Sequence, residues 1–327
     1  MESLEKIFQS FAKIKVLIIG DVMLDSYIWG SVERISPEAP VPIVHVRKRD
    51  VRLGGAANVA LNIQSLGATP ILVALRGNDD AGQRLQTVLE QQNMTAEGMV
   101  VSHARPTTVK TRVIASHQHV VRVDEESDRV PDLTEEKLLW EKIEKLLPQC
   151  QVVIFEDYDK GVLNESIIAQ TVKLCKSLHI PTVVDPKKRN FLVYREVSLF
   201  KPNLKEMREG LKIELEPGNQ SQLENGIRLL KEKLKIEGVM ATLSEHGIYL
   251  DFQREKIKLS AYPREIADVS GAGDTVVSIA ALGVAVGLPP RRLAALSNLG
   301  GGLVCQYVGV VPIKKEELLA EARKESV

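Results

Sequence analysis

Residues 268–282 read Asp-Val-Ser-Gly-Ala-Gly-Asp-Thr-Val-Val-Ser-Ile-Ala-Ala-Leu, a glycine-rich turn that runs directly into an apolar stretch. Gly271 and Gly273 let the backbone approach a ligand closely, and the start of the predicted helix offers that ligand unpaired N–H groups and a partial positive charge. Asp274 stands beside the turn, where a carboxylate can take a proton from an attacking hydroxyl. The pattern fits an anion site with an adjacent base. Taken alone, it equally fits a plain turn whose aspartate favours the helix start electrostatically.

The composition excludes several classes of protein. The 327 residues suffice for one large domain or two modest ones. The chain has 43 basic and 43 acidic residues, so its charge favours neither a nucleic-acid partner nor a membrane surface. No apolar run reaches the ~18–20 residues that span a bilayer, and residues 1–6 lack a signal-peptide pattern. The three widely spaced cysteines are typical of free thiols in a cytoplasmic protein.

Apolar runs alternate with amphipathic stretches along most of the chain, which predicts a mostly parallel sheet with helices on both faces. Strands are predicted at residues 15–20, 70–75, 152–155 and 182–185, at a segment ending at 201, and at 239–243, 247–252 and 256–260. Helices are predicted near residues 55–66, 80–91, 135–147, 165–178, 204–210 and 221–235, with three more beginning near 273, 290 and 314.

Two segments, at about residues 35–52 and 107–124, break this rhythm. In each of them apolar and polar residues alternate without a helical pattern, as in Val-Lys-Thr-Arg-Val at 109–113. This period of two predicts a small β-sheet lid on the α/β body. The apolar face of a lid needs a cover, which could be substrate, another subunit or both. We therefore expect residues 1–327 to form a single domain with a lid, and we expect a homodimer formed through that lid.

Further stretches resemble the ribokinase-like (PfkB) carbohydrate kinases. They are Gly-Asp-Val-Met-Leu-Asp at 20–25, Arg-Ile-Ser-Pro-Glu-Ala-Pro-Val-Pro at 34–42, Gly-Gly-Ala-Ala-Asn-Val-Ala at 54–60 and Val-Gly-Val-Val-Pro at 308–312. Within that family the chain is most similar to the kinases of D-glycero-D-manno-heptose 7-phosphate in ADP-heptose synthesis. The resemblance implies a ribokinase-like fold, ATP as co-substrate, Mg²⁺ and a sugar phosphate as acceptor.

The resemblance also implies which residues act on the sugar. It makes Asp274 the catalytic base and places an anion hole at Gly271, Ala272 and Gly273. The residues implied to bind the sugar follow predicted strands or begin a helix, and they are Asp25, Gly54, Gly55, Asn58 and Asp157. Asp25 could instead solvate a strand end, and Asn58 could lie on a helix surface. Whether Asp21 also binds the sugar is left open by the resemblance. Glu156 and Asp159 stand where smaller residues are common in the family, and Asp159 is expected in solvent.

The nucleotide residues implied by the resemblance lie in the second half of the chain, and they are Asn203, Glu206, Thr242, Ser244, Gly247 and Asn298. Asn203 and Glu206 match an Asn-x-x-Glu element that organises Mg²⁺ and phosphate, with Glu206 acting on the metal through water, because Mg²⁺ dehydrates reluctantly. The same pair could form a helix capping box, and both roles could coexist. Asn298 could be plain helix surface. Lys187 could meet a phosphate, and His246 is expected to be a loop residue.

A sugar phosphate needs basic residues near the lid, and the candidates are Arg34, Arg47, Arg52, Lys110 and Arg112. Most of them could equally be solvated strand residues. The first hypothesis for function is a kinase of the anomeric hydroxyl of heptose 7-phosphate. The alternatives are the same chemistry on another sugar, or a sugar- or nucleotide-binding regulator that has lost catalysis.

A dinucleotide oxidoreductase is set aside, because residues 20–22 lack a Gly-x-Gly-x-x-Gly loop. In many relatives the heptose kinase is fused to a nucleotidyltransferase. None of the six histidines lies in the His-x-Gly-His signature of such a domain, so we expect a stand-alone kinase.

Overall fold

The computed structural model describes residues 3–115, 118–325 and 327. Within these residues a nine-stranded sheet has the order β13-β12-β11-β10-β9-β8-β1-β4-β5, and a four-stranded sheet has the order β3-β2-β6-β7. Every pairing in the large sheet is parallel except those of β12 with its two neighbours. The prediction of a mostly parallel α/β sheet with a small β-lid is confirmed.

The helices are α1 Leu4–Phe11, α2 Ala56–Ser65, α3 Asp80–Gln91, α4 Leu133–Leu146, α5 Glu165–Leu178, α6 Leu204–Leu211, α7 Gln220–Leu234, α8 Ala272–Ala285, α9 Pro290–Val304 and α10 Lys315–Lys324. The strands of the large sheet are β1 Lys15–Gly20, β4 Thr69–Gly77, β5 Met99–Ser102, β8 Val152–Glu156, β9 Thr182–Asp185, β10 Leu199–Phe200, β11 Gly238–Thr242, β12 Ile248–Phe252 and β13 Glu255–Leu259. The lid strands are β2 Val22–Ile35, β3 Pro42–Gly55, β6 Thr108–Ala115 and β7 Gln118–Glu125.

Two apolar layers sandwich the large sheet. One layer holds buried side chains of α1, α2, α3, α8, α9 and α10, and the other holds those of α4, α5, α6 and α7. The strand β1 therefore alternates between the two layers, with Ile18 in the first and Leu17 and Ile19 in the second. This explains its continuous apolar sequence, because a strand buried on both faces has no polar alternation. No helix in the described part of the chain has the length and apolarity of a membrane span.

The lid is larger than the sequence predicted, because β2 joins it. This strand pairs with β3 on one side and with β6 on the other. Its first four residues, Val22 to Asp25, are all buried and show no clean alternation, so their pattern did not indicate a lid strand. Ser116 and His117, inside the second predicted lid segment, lie outside the described residues. The structure also adds α1 and β5, which were not predicted.

Candidate active site

The carboxyl ends of three neighbouring strands bring charged side chains together. Glu156 ends β8, Asp185 ends β9, and Lys201 directly follows β10. The parallel register places Glu156 opposite Asp185. Lys201 Nζ lies 2.9 Å from Asp185 Oδ2, and both side chains are almost fully buried. Open α/β sheets bind ligands at this edge, so the strand ends define one wall of the candidate site.

Asp274 forms the opposite wall, in the first turn of α8. Its side chain is buried, with the residue only 4% exposed. Asn58 Nδ2 donates to Asp274 Oδ2 at 2.6 Å, and the phenol of Tyr158 donates to Asp274 Oδ1 at 2.9 Å. Asn58 is itself fully buried, which excludes a helix-surface role for it. Both carboxylate oxygens of Asp274 are therefore held in place before a ligand arrives.

The surroundings of Asp274 adjust its basicity. Burial raises the pKa of Asp274, the nearby Asp185 raises it further, and the hydrogen bonds from Asn58 and Tyr158 oppose the rise. Burial, and next the charge of Asp274, raise the pKa of the Tyr158 phenol well above its ordinary value. Tyr158 thus stays protonated and can only donate to the carboxylate. The arrangement gives a buried carboxylate that is more basic than a solvated one.

The turn before α8 is the predicted anion hole. Gly271, at the start of the helix, has φ +81°, a left-handed conformation that glycine adopts without strain. A Cβ added at Gly273 would lie 3.5 Å from Asp185 Oδ2 and 3.6 Å from Lys201 Nζ, so this backbone faces the strand-end charges. The first N–H groups of a helix have no acceptor within the helix. Gly271 and Gly273 can therefore present N–H donors beside Asp274, whereas the Ala272 N–H donates to the backbone oxygen of Val269 at 3.3 Å.

Glu156, Asp185 and Asp274 form a buried cluster in which one ligand atom from each lies within 4.8 Å of the others. Glu156 is fully buried, and neither of its carboxylate oxygens has a hydrogen-bond partner in the described structure. Burial, together with the charges of Asp185 and Asp274, raises the pKa of Glu156 well above its ordinary range. Carboxylate oxygens are the ligands that Mg²⁺ prefers, so this donor set fits a divalent cation.

Lysines partly balance these carboxylates. Lys187 Nζ lies 2.7 Å from Glu206 Oε1 and 3.9 Å from Asp185 Oδ1, and it sits over the ring of Tyr158. Burial acts to lower the pKa of Lys201, but the charges of Asp185 and Glu206 and the hydrogen bond to Asp185 together outweigh it, so that pKa is raised. Both lysines therefore place positive charge at the strand ends, beside the carboxylates.

The lid contributes Asp25 to the other side of the site. Asp25 is buried, and its carboxylate pairs with the guanidinium of Arg112 on β6. This pairing excludes a merely solvated strand end. A Cβ at Gly54 would collide with the Asp25 carboxylate, and Gly55 has φ +58° at the start of α2. Gly54 is thus needed for Asp25 to lie against the chain that leads into Asn58, and Gly55 allows the positive φ at the start of α2.

The structure does not support a sugar contact by Asp157. Its Oδ2 accepts hydrogen bonds from Tyr194 at 2.6 Å and from Asn190 at 2.9 Å, and the residue is 1% exposed. The carboxylate is hydrogen-bonded to these side chains in the interior, which the sequence pattern could not reveal. Asp159 is half-buried rather than solvated, with its carboxylate near the Arg189 N–H.

Asp21 has a structural role beside the site. Its carboxylate accepts the backbone N–H groups of Tyr158, Lys160 and Val162 at 2.9–3.0 Å. Burial, and next the charge of Asp157, raise the pKa of Asp21 to about 6 against the opposing backbone bonds. Asp21 therefore holds the loop that delivers Tyr158 to Asp274.

The predicted nucleotide residues lie farther along the same sheet edge. Asn203 and Glu206 form a reciprocal capping box at the start of α6, each bond being 2.8 Å, while Glu206 also binds Lys187. Asn203 pairs with Thr242 in an isolated parallel bridge.

Beyond Thr242 the chain turns through Ser244–His246, and Gly247 has φ +86° where a Cβ would collide with the backbone of β13. His246 lies in this loop with a partly exposed side chain, as expected. The side-chain amide of the half-buried Asn298 donates to the backbone carbonyl oxygen of Ser260 at 2.8 Å, which ties α9 to the end of β13.

Three of the five basic candidates share one face of the lid. The register sets Asp25 opposite both Arg52 and Lys110, and sets Tyr27 opposite Arg112. The guanidinium groups of Arg52 and Arg112 lie 4.9 and 5.4 Å from the centre of the Tyr27 ring. The other two candidates, Arg34 and Arg47, are exposed toward the far end of the lid.

The family profile described as pfkB family carbohydrate kinase matches residues 13–316. The chain belongs to this family. A pfkB kinase is a phosphotransferase with an alcohol group as acceptor. Two solved structures support the same fold. Phosphofructokinase-2 from Escherichia coli in complex with substrates and products has a TM-score of 0.78 at 18% identity, covering 96% of this chain and 100% of that one. Ribokinase from Arabidopsis thaliana complexed with ribose and ATP has a TM-score of 0.72 at 18% identity, covering 94% and 98%.

Curated relatives match this chain along nearly its whole length. "Bifunctional protein HldE" of Syntrophotalea carbinolica is 38% identical over 317 residues, which are 97% of this chain and 64% of the relative. The protein of the same name from Koribacter versatilis is 40% identical over 314 residues, which are 95% and 64%. This chain therefore spans slightly less than two thirds of the length of these relatives.

The sequence did not single out Tyr158, Asp185 or Lys201 as parts of this pfkB kinase site, and it noted Glu156 only as an unusual residue. One local signal was available, because Glu156, Asp185 and Lys201 each stand at or directly after the end of an apolar strand. In a parallel sheet those ends lie at one edge, so charged residues there are candidates for a common site. Tyr158 carried no such signal, since only the conformation of its loop directs the phenol to Asp274.

Proposed function

We propose that this protein is an ATP-dependent sugar kinase that phosphorylates the anomeric (C1) hydroxyl of D-glycero-D-manno-heptose 7-phosphate, giving the 1,7-bisphosphate used in ADP-heptose and lipopolysaccharide precursor synthesis. The observation that carries the kinase assignment is the buried Asp274 beside the glycine turn that ends in Gly271 and Gly273. The heptose assignment rests on the motif at residues 34–42 and on the curated relatives.

Each part of the site has a role in this reaction. Asp274 accepts the proton of the sugar hydroxyl as that hydroxyl attacks the terminal phosphorus of ATP. The N–H groups of the α8 turn, together with Lys187 and Lys201, stabilise the charge on the transferred phosphoryl group. Positioning and electrostatics supply most of the catalysis in phosphoryl transfer. Asn58 and Tyr158 hold the carboxylate of Asp274 in position to accept that proton.

Magnesium fits the donor set at the strand ends, because buried carboxylate oxygens without partners are present there. When bound, Mg²⁺ supplies positive charge that neutralises the phosphate oxygens. We propose that Glu206 orients it through water, since its Oε2 closes the capping box and its Oε1 is paired with Lys187. The structural and the functional reading of Asn203 and Glu206 are thus compatible. ATP would lie along Asn203, Thr242, Ser244, Gly247 and Asn298.

The phosphate that the substrate already carries would bind on the lid face that holds Arg52, Lys110 and Arg112. At present Arg52 pairs with Asp50 and donates to the backbone oxygens of Val308 and Val310. Lys110 pairs with Asp124, and Arg112 pairs with Asp25. A phosphate can exchange with these partners and gain bidentate contacts to the arginines. Such remote binding energy orients the reacting hydroxyl, so removing the phosphate should lower turnover as well as affinity.

A coupled assay of ADP release tests the function. The panel comprises heptose 7-phosphate, unphosphorylated heptose, fructose 6-phosphate, ribose and adenosine, and phosphorus NMR of the product identifies the phosphorylated carbon. Each lost charge-assisted hydrogen bond should cost roughly 1.5–3 kcal/mol, so unphosphorylated heptose should be poorer by orders of magnitude in kcat/KM. Equal use of ribose or fructose 6-phosphate would leave only the sugar-kinase class. Absence of any sugar-dependent ADP release would favour a silent binding protein.

We further propose that residues 1–327 act as one kinase domain without nucleotidyltransferase activity, in the cytoplasm. The support is that the sequence contains no His-x-Gly-His pattern and that Cys150, Cys175 and Cys305 are free thiols. Formation of ADP-heptose from heptose 1-phosphate and ATP by this chain would contradict the proposed absence of nucleotidyltransferase activity. Fractionation of cells followed by immunoblotting checks the proposed cytoplasmic location.

We also propose a homodimer formed through the lid. On β7 the exposed Val121 and Val123 alternate with Arg122 and Asp124, so one face of this strand presents apolar side chains to solvent. Such faces normally have a cover. Light scattering should show a dimer at micromolar concentration, and Val123→Asp should shift it to monomer. The matched control is Val130→Asp, because Val130 is similarly exposed but lies outside the lid. A wild-type monomer with full activity would refute the dimer.

A further inference from the structure

The carboxylate of Asp25 is already occupied by another residue of the lid. One of its oxygens accepts a hydrogen bond from the Arg112 guanidinium, and the side chains of Asp25 and Arg112 are only 4% and 14% exposed. The other oxygen lies against Gly54, where an added Cβ would collide with it. Asp25 is a predicted sugar ligand, so sugar hydroxyls must compete with Arg112 for its carboxylate.

Arg112 is held by fewer polar partners than its two basic neighbours on this face of the lid. Arg52 pairs with one carboxylate and also donates to two backbone oxygens, and Lys110 has two carboxylate partners. In the part of the chain that the structure describes, Asp25 is the single ion-pair partner of Arg112. The Arg112 guanidinium otherwise lies near the Tyr27 ring, 5.4 Å from its centre. Moving this guanidinium therefore breaks one ion pair.

A phosphate group on the substrate would compete with Asp25 for this guanidinium. Two guanidinium groups, those of Arg52 and Arg112, lie near the same Tyr27 ring. A phosphate carries up to two negative charges and takes bidentate bonds from arginine, whereas Asp25 carries one charge. The register also sets Arg122 directly opposite Arg112, and two like charges in that arrangement favour the entry of an anion. A phosphate bound here would draw Arg112 away and release the Asp25 carboxylate.

We propose that Arg112 determines specificity by occupying Asp25 until the phosphate of the substrate withdraws it. This inference rests on the proposed kinase function. Phosphate binding and the release of Asp25 are coupled, so the phosphate both anchors the substrate and makes the sugar ligand available. A sugar without a phosphate meets Asp25 still paired. The site thus discriminates against that sugar through an unfavourable exchange as well as through missing contacts.

The test compares heptose 7-phosphate with unphosphorylated heptose in wild type and in Arg112→Met, by coupled ADP release. Methionine removes the charge but keeps an unbranched, flexible side chain. For heptose 7-phosphate, kcat/KM should fall at least about tenfold, the scale of one charge-assisted hydrogen bond. For unphosphorylated heptose it should rise at least about tenfold, because Asp25 is no longer occupied. A residue that only binds the phosphate would leave the second value unchanged, and a fold defect would lower both.

Arg122→Met is the matched control. Arg122 lies opposite Arg112 on the same face of the lid, but its guanidinium makes two bonds to Asp124 and is 55% exposed. It forms no ion pair with Asp25 in the described structure. This variant should therefore keep both wild-type values.

A separately added dianion gives a measurement that needs no variant. Inorganic phosphite should saturably raise the kcat/KM of wild type for unphosphorylated heptose at saturating ATP, because it supplies the group that withdraws Arg112. Arg112→Met should show no such rise. If circular dichroism shows that this variant does not fold, the experiment on wild type decides alone.

Either of two results would overturn the proposal: folded Arg112→Met uses unphosphorylated heptose no better than wild type does, or phosphite leaves wild type unchanged. Failure of the kinase function is recognised separately, because wild type would then release no ADP with any sugar phosphate. In that case calorimetry makes the same comparison on heptose binding. Phosphite should strengthen that binding in wild type and not in Arg112→Met, and equal binding with and without phosphite in wild type would refute the coupling.

Discussion

Substituting Tyr158 by Phe should move the acid limb of the pH profile of kcat/KM to higher pH. The phenol donates a hydrogen bond of 2.9 Å to Asp274 Oδ1 in a buried site, and this bond lowers the pKa of the carboxyl. Phenylalanine keeps the ring over which Lys187 sits, at 5.2 Å from the ring centre to Nζ, and deletes only the donor. The pKa of Asp274, already raised by burial, therefore rises further in the variant.

The size of the effect follows from the bond that is lost. A hydrogen bond to a charged group contributes about 1.5–3 kcal/mol. Since about 1.4 kcal/mol corresponds to a tenfold change in an equilibrium constant, the acid limb should move up by about one to two pH units. A general base works only when deprotonated, so below this limb the variant should be slower by roughly 10- to 100-fold, with recovery at higher pH. The profile of kcat/KM is the right measurement, because it reports ionisations of the free enzyme.

Tyr307→Phe is the matched control. Its phenol also binds a carboxylate, at 2.9 and 3.1 Å from the two oxygens of Glu317, but on the C-terminal segment away from Asp274. This control should keep the wild-type profile. If Tyr158→Phe folds and leaves the acid limb where it is in wild type, either Asp274 is not the base or the phenol does not influence it. An equal movement of the limb in both variants would refute the reasoning in the same way.

Further outcomes concern the base, the turn and the loop. Asp274→Asn should lower kcat by ~10²–10⁴-fold while sugar and ATP still bind, and retention of more than about a tenth of wild-type turnover would exclude it as base. Gly271→Ala should lower the free energy of unfolding by ~1–2 kcal/mol in urea denaturation, because φ is +81° there; an unchanged midpoint would contradict this. Asp21 has its pKa raised from 3.8 to about 6, so its proton stabilises the fold at low pH and that stabilisation is lost as pH rises through about 6. The stability of wild type relative to Asp21→Asn should therefore fall by up to about 3 kcal/mol between about pH 4 and pH 7, and a constant difference would show that Asp21 does not titrate there.

The sequence by itself determined the class of fold and pointed to the candidate base. Strands such as Lys15–Gly20 and helices such as Glu165–Leu178 agree with the predicted bounds, because burial imposes a local period that can be read along the chain. The turn at Gly271–Gly273 was recognisable for a similar reason. A helix start with glycines and an acidic residue has a local physical meaning wherever it lies in the fold.

Only the tertiary structure decided what surrounds that base. Glu156, Asp185 and Asp274 are far apart in sequence, and they meet because β8 and β9 are neighbours in the sheet and α8 packs across their ends. The same holds for Asp157, which follows the same strand end as Glu156 but binds Tyr194 and Asn190 in the interior. Periodicity fixes which face of a strand is buried. The direction of a side chain past the strand end depends on loop conformation and on long-range contacts, which no local pattern encodes.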